Sequence, residues 1–157
     1  MLLFNVNAVP GRETYHTDSF GRVRWYNCGR YPTYSFAVKR EKIHNNNITF
    51  SLLFGGGAKY SNGEDSLFIR DCLKSGLKVY RVPVTIGAEK ERPSTWFQGY
   101  NEKFFFDRGV LYSHLYGVCN RIMGIRFLLA HKEELCKEIP LKKAYQIMVR
   151  GMKEGKR

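Results

Sequence analysis

Residues 63–86, "GEDSLFIRDCLKSGLKVYRVPVTI", contain the two periodicities that decide the fold class. From Glu64 onward apolar residues recur at helical spacing, and Gly76 supplies the left-handed residue that commonly ends a helix. Residues 77–84 then alternate as a strand does. This order of loop, helix and strand predicts an α/β or α+β fold. The predicted apolar face of the helix consists of Leu67, Phe68, Cys72 and Leu73.

The segments on either side extend this prediction to the whole chain. Residues 2–6 have the composition of a short strand. A second helix, dense in aromatic residues, is predicted over residues 96–117, and a basic amphipathic helical tail with a break at Pro140 is predicted after it. We therefore expect two parts, an α/β part at residues 1–117 and the helical tail at 118–157.

Charge and composition limit the classes of partner. The chain has 157 residues and a formal charge of +12, which favours an anionic partner such as nucleic acid, acidic lipid or a phosphate-bearing substrate. The four cysteines form no Cys-x-x-Cys pair, and the histidines have no metal-ligand spacing, so no metal site is predicted in this chain. The apolar segment 122–130 is interrupted by Arg126 and is much shorter than the ~20 residues of a membrane-spanning helix. No spanning helix is expected.

The acidic pair Glu64 and Asp65 has two interpretations. Acidic residues in the first turn of a helix interact favourably with the positive end of its dipole and need no other role. Alternatively, one carboxylate faces a cleft and takes a proton from a substrate hydroxyl, as a general base does. The helix N-terminus would keep such an aspartate ionised. The local pattern allows both.

Three other features also have alternatives. Gly55, Gly56 and Gly57 could cradle a phosphate, although the ending of a P-loop is missing, or form a loop that lets an acceptor approach the backbone. Trp96 could stack on a sugar ring or pack in a core. In the tail, an apolar stripe could lie on an anionic membrane, or it could cover the protein's own core or a further part of the protein that is missing here. That stripe consists of Ile139, Leu141, Ala144, Ile147 and Met148.

The ordered set of motifs around the acidic pair resembles the C-terminal half of the catalytic domain of family 2 glycosyltransferases. These are inverting bacterial enzymes that build polysaccharides and cell-surface glycans. The resemblance is strongest over residues 50–86 and extends more weakly over the rest of the chain. Its motifs are, in order, Phe50, the glycines 55–57, Gly63-Glu64-Asp65, Lys74-Ser75-Gly76 and Val82-Pro83.

This resemblance implies a fold and a reaction. The fold would be part of a GT-A domain, the nucleotide-diphospho-sugar transferase type, with a small mixed sheet, flanking helices and a helical tail. Asp65 would be the catalytic base, and Glu64 would position the acceptor. The three glycines and Trp96 would contact the acceptor, a glycan or a lipid-linked sugar, while a nucleotide sugar is the donor.

The resemblance also implies that a part of the enzyme is missing here. Family members hold a divalent metal, Mn²⁺ or Mg²⁺, through an Asp-x-Asp motif in a nucleotide-binding half, and these 157 residues contain no Asp-x-Asp. We expect a fragment that binds no metal and is inactive alone, located in the cytoplasm or at the inner face of the plasma membrane. The alternative function is a non-catalytic basic module for anionic membrane or nucleic acid. Of these two, nucleic acid is disfavoured because the chain has no recognisable nucleic-acid motif.

Overall fold

The computed structural model describes residues 1–9, 15–90 and 99–156. Over this part the chain is mixed α/β, as predicted, with one small sheet and several helices. The strands are β1 (Leu2–Asn7), β2 (Gly21–Arg22), β3 (Phe36–Ala37) and β4 (Tyr80–Ala88). The helices are α1 (Arg40–Asn45), α2 (Glu64–Lys74), α3 (Glu102–Tyr116), α4 (Asn120–Ala130), α5 (Lys132–Leu135) and α6 (Leu141–Glu154).

By its internal contacts the chain divides into two compact units. The first unit contains Met1–Ser51 and Glu64–Ser94, and the second contains Leu52–Gly63 and Thr95–Arg157. The boundary predicted between residues 117 and 118 falls inside the second unit, and it stays a prediction. The sheet and α2 belong to the first unit, whereas α3 to α6 belong to the second.

The sheet of the first unit is mixed, with the strand order β2-β4-β1-β3. The central strands β1 and β4 are parallel, and each has a two-residue antiparallel partner at its outer edge. Parallel strands cannot be joined by a tight turn, so α1 and α2 lie in the connection between them. The register of β1 on β4 shifts between Leu3↔Arg81 and Asn5↔Thr85. Pro83, which has no N–H to donate to a ladder, lies in this irregular stretch.

Helix α2 has the predicted bounds, but its buried face differs from the predicted one. Phe68 and Cys72 are buried as expected, while Leu67 and Leu73 are only half-buried and Ile69 is fully buried. The face is therefore rotated toward Ile69, because it must match the side chains it packs on, which local periodicity does not specify. Gly76 adopts the predicted left-handed conformation, with a φ of 79°, at the end of this helix.

The second unit is built around two helices that approach each other unusually closely. A Cβ atom at Gly109 of α3 would lie 2.1 Å from the backbone oxygen of Met148 in α6, and one at Gly151 would lie 2.1 Å from that of Phe106. Only glycine allows this approach. Helix α3 begins later than predicted because Asn101 is its N-cap: the Asn101 side chain accepts a hydrogen bond from the N–H of Phe104.

The apolar stripe of the tail packs inside the protein. Ile139, Ala144, Ile147 and Met148 are buried, and Leu141 is half-buried. Of the alternatives for these residues, the structure has the one in which they cover the protein's own core. The break at Pro140 is confirmed, since this residue is the N-cap of α6. Among the described helices, none has the length and apolar content required to cross a bilayer.

Candidate functional site

Glu64 and Asp65 form the first turn of α2, as predicted. Both side chains are half-buried, so each keeps some access to solvent. The backbone N–H of Ser66 donates a hydrogen bond of 3.0 Å to Oδ1 of Asp65. The helix dipole and this N–H both favour the ionised carboxylate, which accepts protons. The position in the first turn suits the favourable interaction with the helix dipole, and the alternative role of a base stays a prediction.

Gly63 fixes the point at which the chain enters this turn. Its φ is 118°, a conformation that residues with a side chain rarely adopt. A Cβ atom at this position would also lie 2.6 Å from Cδ1 of Leu111, within the second unit. The backbone conformation and the packing on Leu111 thus both favour a glycine before the acidic pair.

The three predicted glycines lie together in a closed loop between Phe54 and Tyr60. The N–H of Gly55 donates to the oxygen of Tyr60 at 2.9 Å, and the N–H of Tyr60 donates to the oxygen of Leu53 at 3.0 Å. Gly55 is buried at the neck of the loop, whereas Gly56 and Gly57 are exposed at its tip. Nothing lies within 4 Å of a Cβ built on either tip residue. The tip therefore presents bare backbone to solvent, as an acceptor-binding or phosphate-binding loop would.

A buried carboxylate that sequence reasoning missed anchors the chain directly after this loop. Asp107 of α3 is only 2% exposed. Its Oδ2 accepts hydrogen bonds of 2.9 Å from both the N–H and the hydroxyl of Ser61, and the ammonium of Lys103 lies 2.5 Å away. Lys103 also donates to the backbone oxygen of Lys59 at 3.1 Å. The glycine loop is thereby held to α3 by an ion pair that has no other evident role.

A sequence signal for this anchor exists. Asp107 directly follows three phenylalanines at 104–106, and Lys103 precedes it by one helical turn. A carboxylate on the buried face of a helix needs a cation and hydrogen-bond donors, so this pattern indicates a partner from elsewhere in the chain. The identity of that partner, Ser61, comes only from the fold.

Aromatic rings contact each other at the two ends of the loop, and a lysine adds positive charge there. The rings of Phe54 and Tyr60 are 4.9 Å apart, and Phe54 also contacts the ring of His114 edge-on at 5.6 Å. The Lys59 ammonium lies 5.1 Å from the centre of the Tyr60 ring. A hydrogen bond with Tyr60 raises the pKa of Lys59, so this side chain is a fixed cation at neutral pH.

Trp96 is the remaining predicted site residue, and the other predicted residues lie in two different compact units. Trp96 lies outside the described residues, so its predicted acceptor contact stays a prediction. The acidic pair belongs to the first compact unit and the glycines 55–57 to the second. Tyr100, four residues after Trp96, donates a hydrogen bond to Glu134, and burial raises its pKa to about 12.

The buried thiols of Cys28 and Cys72 are not nucleophiles, and the described part of the chain shows no metal-ligand group. Burial raises the pKa of Cys28 and of Cys72 to about 11, which keeps both thiols protonated and unreactive at neutral pH. Within residues 1–9, 15–90 and 99–156, no group of three or more His, Cys, Asp or Glu side chains could hold a metal ion.

Comparisons of the chain with protein-family models, with curated proteins and with solved structures found no match. The functional interpretation therefore depends on the residues and contacts described above.

Proposed function

We propose that this chain is the acceptor-side, base-bearing part of an inverting glycosyltransferase with a GT-A type of fold. The observation that carries the proposal is the position of Asp65 in the first turn of α2. There it is half-buried, receives an N–H hydrogen bond and lies two residues after Gly63, whose φ of 118° residues with a side chain rarely adopt. The ordered motifs over residues 50–86 support the same assignment, because they surround this aspartate as they do in family 2 enzymes.

Asp65 would act on the acceptor hydroxyl. Its carboxylate takes the hydroxyl proton as the acceptor oxygen forms a bond to the anomeric carbon of the donor. The bond from that carbon to the phosphate oxygen breaks, and the nucleoside diphosphate leaves with the electron pair. Attack from the face opposite the leaving group inverts the anomeric centre.

Glu64 and the glycine loop would place the acceptor. Glu64 can accept hydrogen bonds from sugar hydroxyls, and the exposed backbone at Gly56 and Gly57 allows a bulky glycan to approach closely. The Lys103–Asp107 pair fixes the base of that loop. A loop held in place loses less entropy on binding than a free one, so the anchor would favour acceptor affinity.

The divalent metal of the complete enzyme would belong to the nucleotide-binding half. A metal there would neutralise charge on the departing diphosphate. The described residues provide no group of three candidate ligands, so they do not fit a metal site by themselves. We therefore assign to this chain only acceptor binding and proton transfer.

The decisive experiment measures nucleoside diphosphate release by the longest protein whose reading frame contains this chain. Asp65→Asn should lower kcat by about 10²–10⁴-fold, because it removes the base and changes little else. Asp71→Asn is the matched control, since it replaces an aspartate of the same helix that forms only a solvent-exposed pair with Lys74. An unchanged kcat in Asp65→Asn would show that Asp65 is not the base.

A second experiment uses the 157-residue chain itself to test whether donor binding lies in another part of the enzyme. Calorimetric titration with UDP-, GDP- and dTDP-sugars in the presence of Mn²⁺ should give no tight binding, since donor recognition would lie in the other half. Binding in the micromolar range would contradict the proposed division.

The charge of +12 favours a second candidate function, that of a basic module that binds nucleic acid. A gel shift with RNA and DNA at two salt concentrations distinguishes the two functions. Binding through phosphates must weaken steeply as the salt concentration rises. We expect no shift at either salt concentration, whereas a shift at the lower concentration that weakens steeply at the higher one would favour the nucleic-acid module.

A further inference from the structure

Helix α4 has an apolar stripe on its solvent-facing side. Val118, two residues before the start of the helix, is 95% exposed, while Ile122 is 70%, Ile125 is 43% and Leu129 is 59% exposed. The spacings of three and four residues place Ile122, Ile125 and Leu129 on one side of the helix, and Val118 extends the stripe from the single 3-10 turn, Gly117–Cys119, that precedes it. Exposed apolar residues are common singly, but a continuous stripe along a helix indicates a binding surface.

The opposite side of the same helix already packs in the second unit. Gly124 and Leu128 are buried there, and a Cβ at Gly124 would lie 2.7 Å from the terminal methyl of Met152 in α6. The exposed stripe is therefore separate from the side of α4 that packs in the core. The helix is apolar on two sides, one covered by α6 and one uncovered within the described chain.

Positive charge flanks the exposed stripe on both sides. At 100° per residue, Arg121 lies on one edge of the stripe and Arg126 on the other, and both are exposed. From Gly117 to Lys132 the sequence contains no aspartate or glutamate. The first acidic residues, Glu133 and Glu134, come after the end of α4, at the start of α5.

We propose that this surface, Val118, Ile122, Ile125 and Leu129 with Arg121 and Arg126, docks the protein on an anionic lipid bilayer. A helix that lies in a membrane interface buries its apolar side chains at the headgroup boundary, while flanking arginines contact anionic headgroups. The long arginine side chains can reach headgroups while their methylene stems stay with the apolar stripe. The tail stripe on α6 cannot serve this purpose because it is buried.

The proposal does not depend on glycosyl transfer, so its test uses no sugar substrate. The 157-residue chain is sedimented with vesicles of phosphatidylcholine alone and of phosphatidylcholine mixed with phosphatidylserine. We expect binding to the mixed vesicles and little binding to the neutral ones. Ile122→Asn/Leu129→Asn should lower the affinity at least about tenfold, and Arg121→Gln/Arg126→Gln should lower it by about fivefold per charge and weaken the preference for phosphatidylserine.

Leu52→Asn is the matched control, because Leu52 is 93% exposed and apolar but lies outside α4. All these side chains are exposed, so circular dichroism should show an unchanged fold. Equal binding of Ile122→Asn/Leu129→Asn and of the wild type would overturn the proposal. The proposal would also be overturned if the wild type bound neither vesicle type and instead formed dimers in sedimentation velocity, while Ile122→Asn/Leu129→Asn stayed monomeric. A second copy of the chain would then occupy the stripe.

Discussion

At the scale of single residues, the contacts of Asp107 explain how the glycine loop is held. One oxygen of this buried carboxylate receives two hydrogen bonds from Ser61 and the charge of Lys103. Hydrogen bonds to a buried charge are stronger than those between neutral groups, and losing their acceptor leaves buried donors without a partner. The loop therefore depends on a residue far from it in sequence.

Asp107→Ala should lower the free energy of unfolding by about 2–4 kcal/mol, because it leaves both Ser61 donors without their acceptor and Lys103 without its counter-charge. Urea unfolding measures this change, and hydrogen exchange at the Ser61 amide should become faster. Asp71→Ala is the control: its pair with Lys74 spans 3.8 Å in solvent, so we expect a change of less than about 0.5 kcal/mol. Equal effects of the two substitutions would argue against the anchor.

At the scale of elements, the packing of α3 on α6 depends on the absence of side chains. Glycine normally weakens a helix relative to alanine, by about 1 kcal/mol. Here Gly109 and Gly151 face backbone oxygens of the opposite helix at distances that exclude a methyl group. A helix-propensity argument applied to these positions alone would give the wrong sign.

Gly109→Ala should destabilise the protein by about 2–4 kcal/mol, because the two helices must separate to admit the new methyl group. Thermal unfolding measures the effect. Gly87→Ala in β4 is the control, since a Cβ at that position meets nothing within 4 Å and should change stability little. A Gly109→Ala variant more stable than the wild type would mean that the backbones of α3 and α6 are not in contact at this point.

At the scale of the whole molecule, buried ionisable groups set the dependence of stability on pH. Burial raises the pKa of Cys28 and Cys72 from 9.0 to about 11, and burial raises that of Tyr31 from 10.0 to about 12. Each group is neutral when protonated, and the folded state binds its proton more tightly than the unfolded state. The stabilisation is therefore complete below the pKa of the unfolded chain and is lost as the pH rises toward the folded value.

The free energy of unfolding should be insensitive to these groups up to about pH 9 and then fall, by on the order of 1–2 kcal/mol per thiol by about pH 11. Urea titrations across this range, with a reductant present, measure the slope. Cys28→Ala/Cys72→Ala should delay the fall to the range in which tyrosine titrates. Cys119→Ala is the control for the substitution of a cysteine by alanine, because Cys119 is only half-buried. The same early fall in the double variant would show that the thiols are not its cause.

The sequence by itself determined the elements whose causes are local. The bounds of α2, the left-handed Gly76, the start of α6 at Pro140 and the acidic first turn at Glu64 and Asp65 all follow from periodicity, capping and backbone preference. These preferences act between residues a few positions apart, so a single sequence contains them in full.

Only the tertiary structure decided which surfaces face inward. It buried the stripe of α6 that could equally have met a membrane, left the stripe of α4 exposed, and joined Asp107 to Ser61 across a long stretch of chain. Periodicity shows that a helix has an apolar side, but the element that covers this side is fixed by long-range packing. For this protein, the local acidic turn could be predicted, whereas its supporting anchor and the proposed lipid-binding surface required the fold.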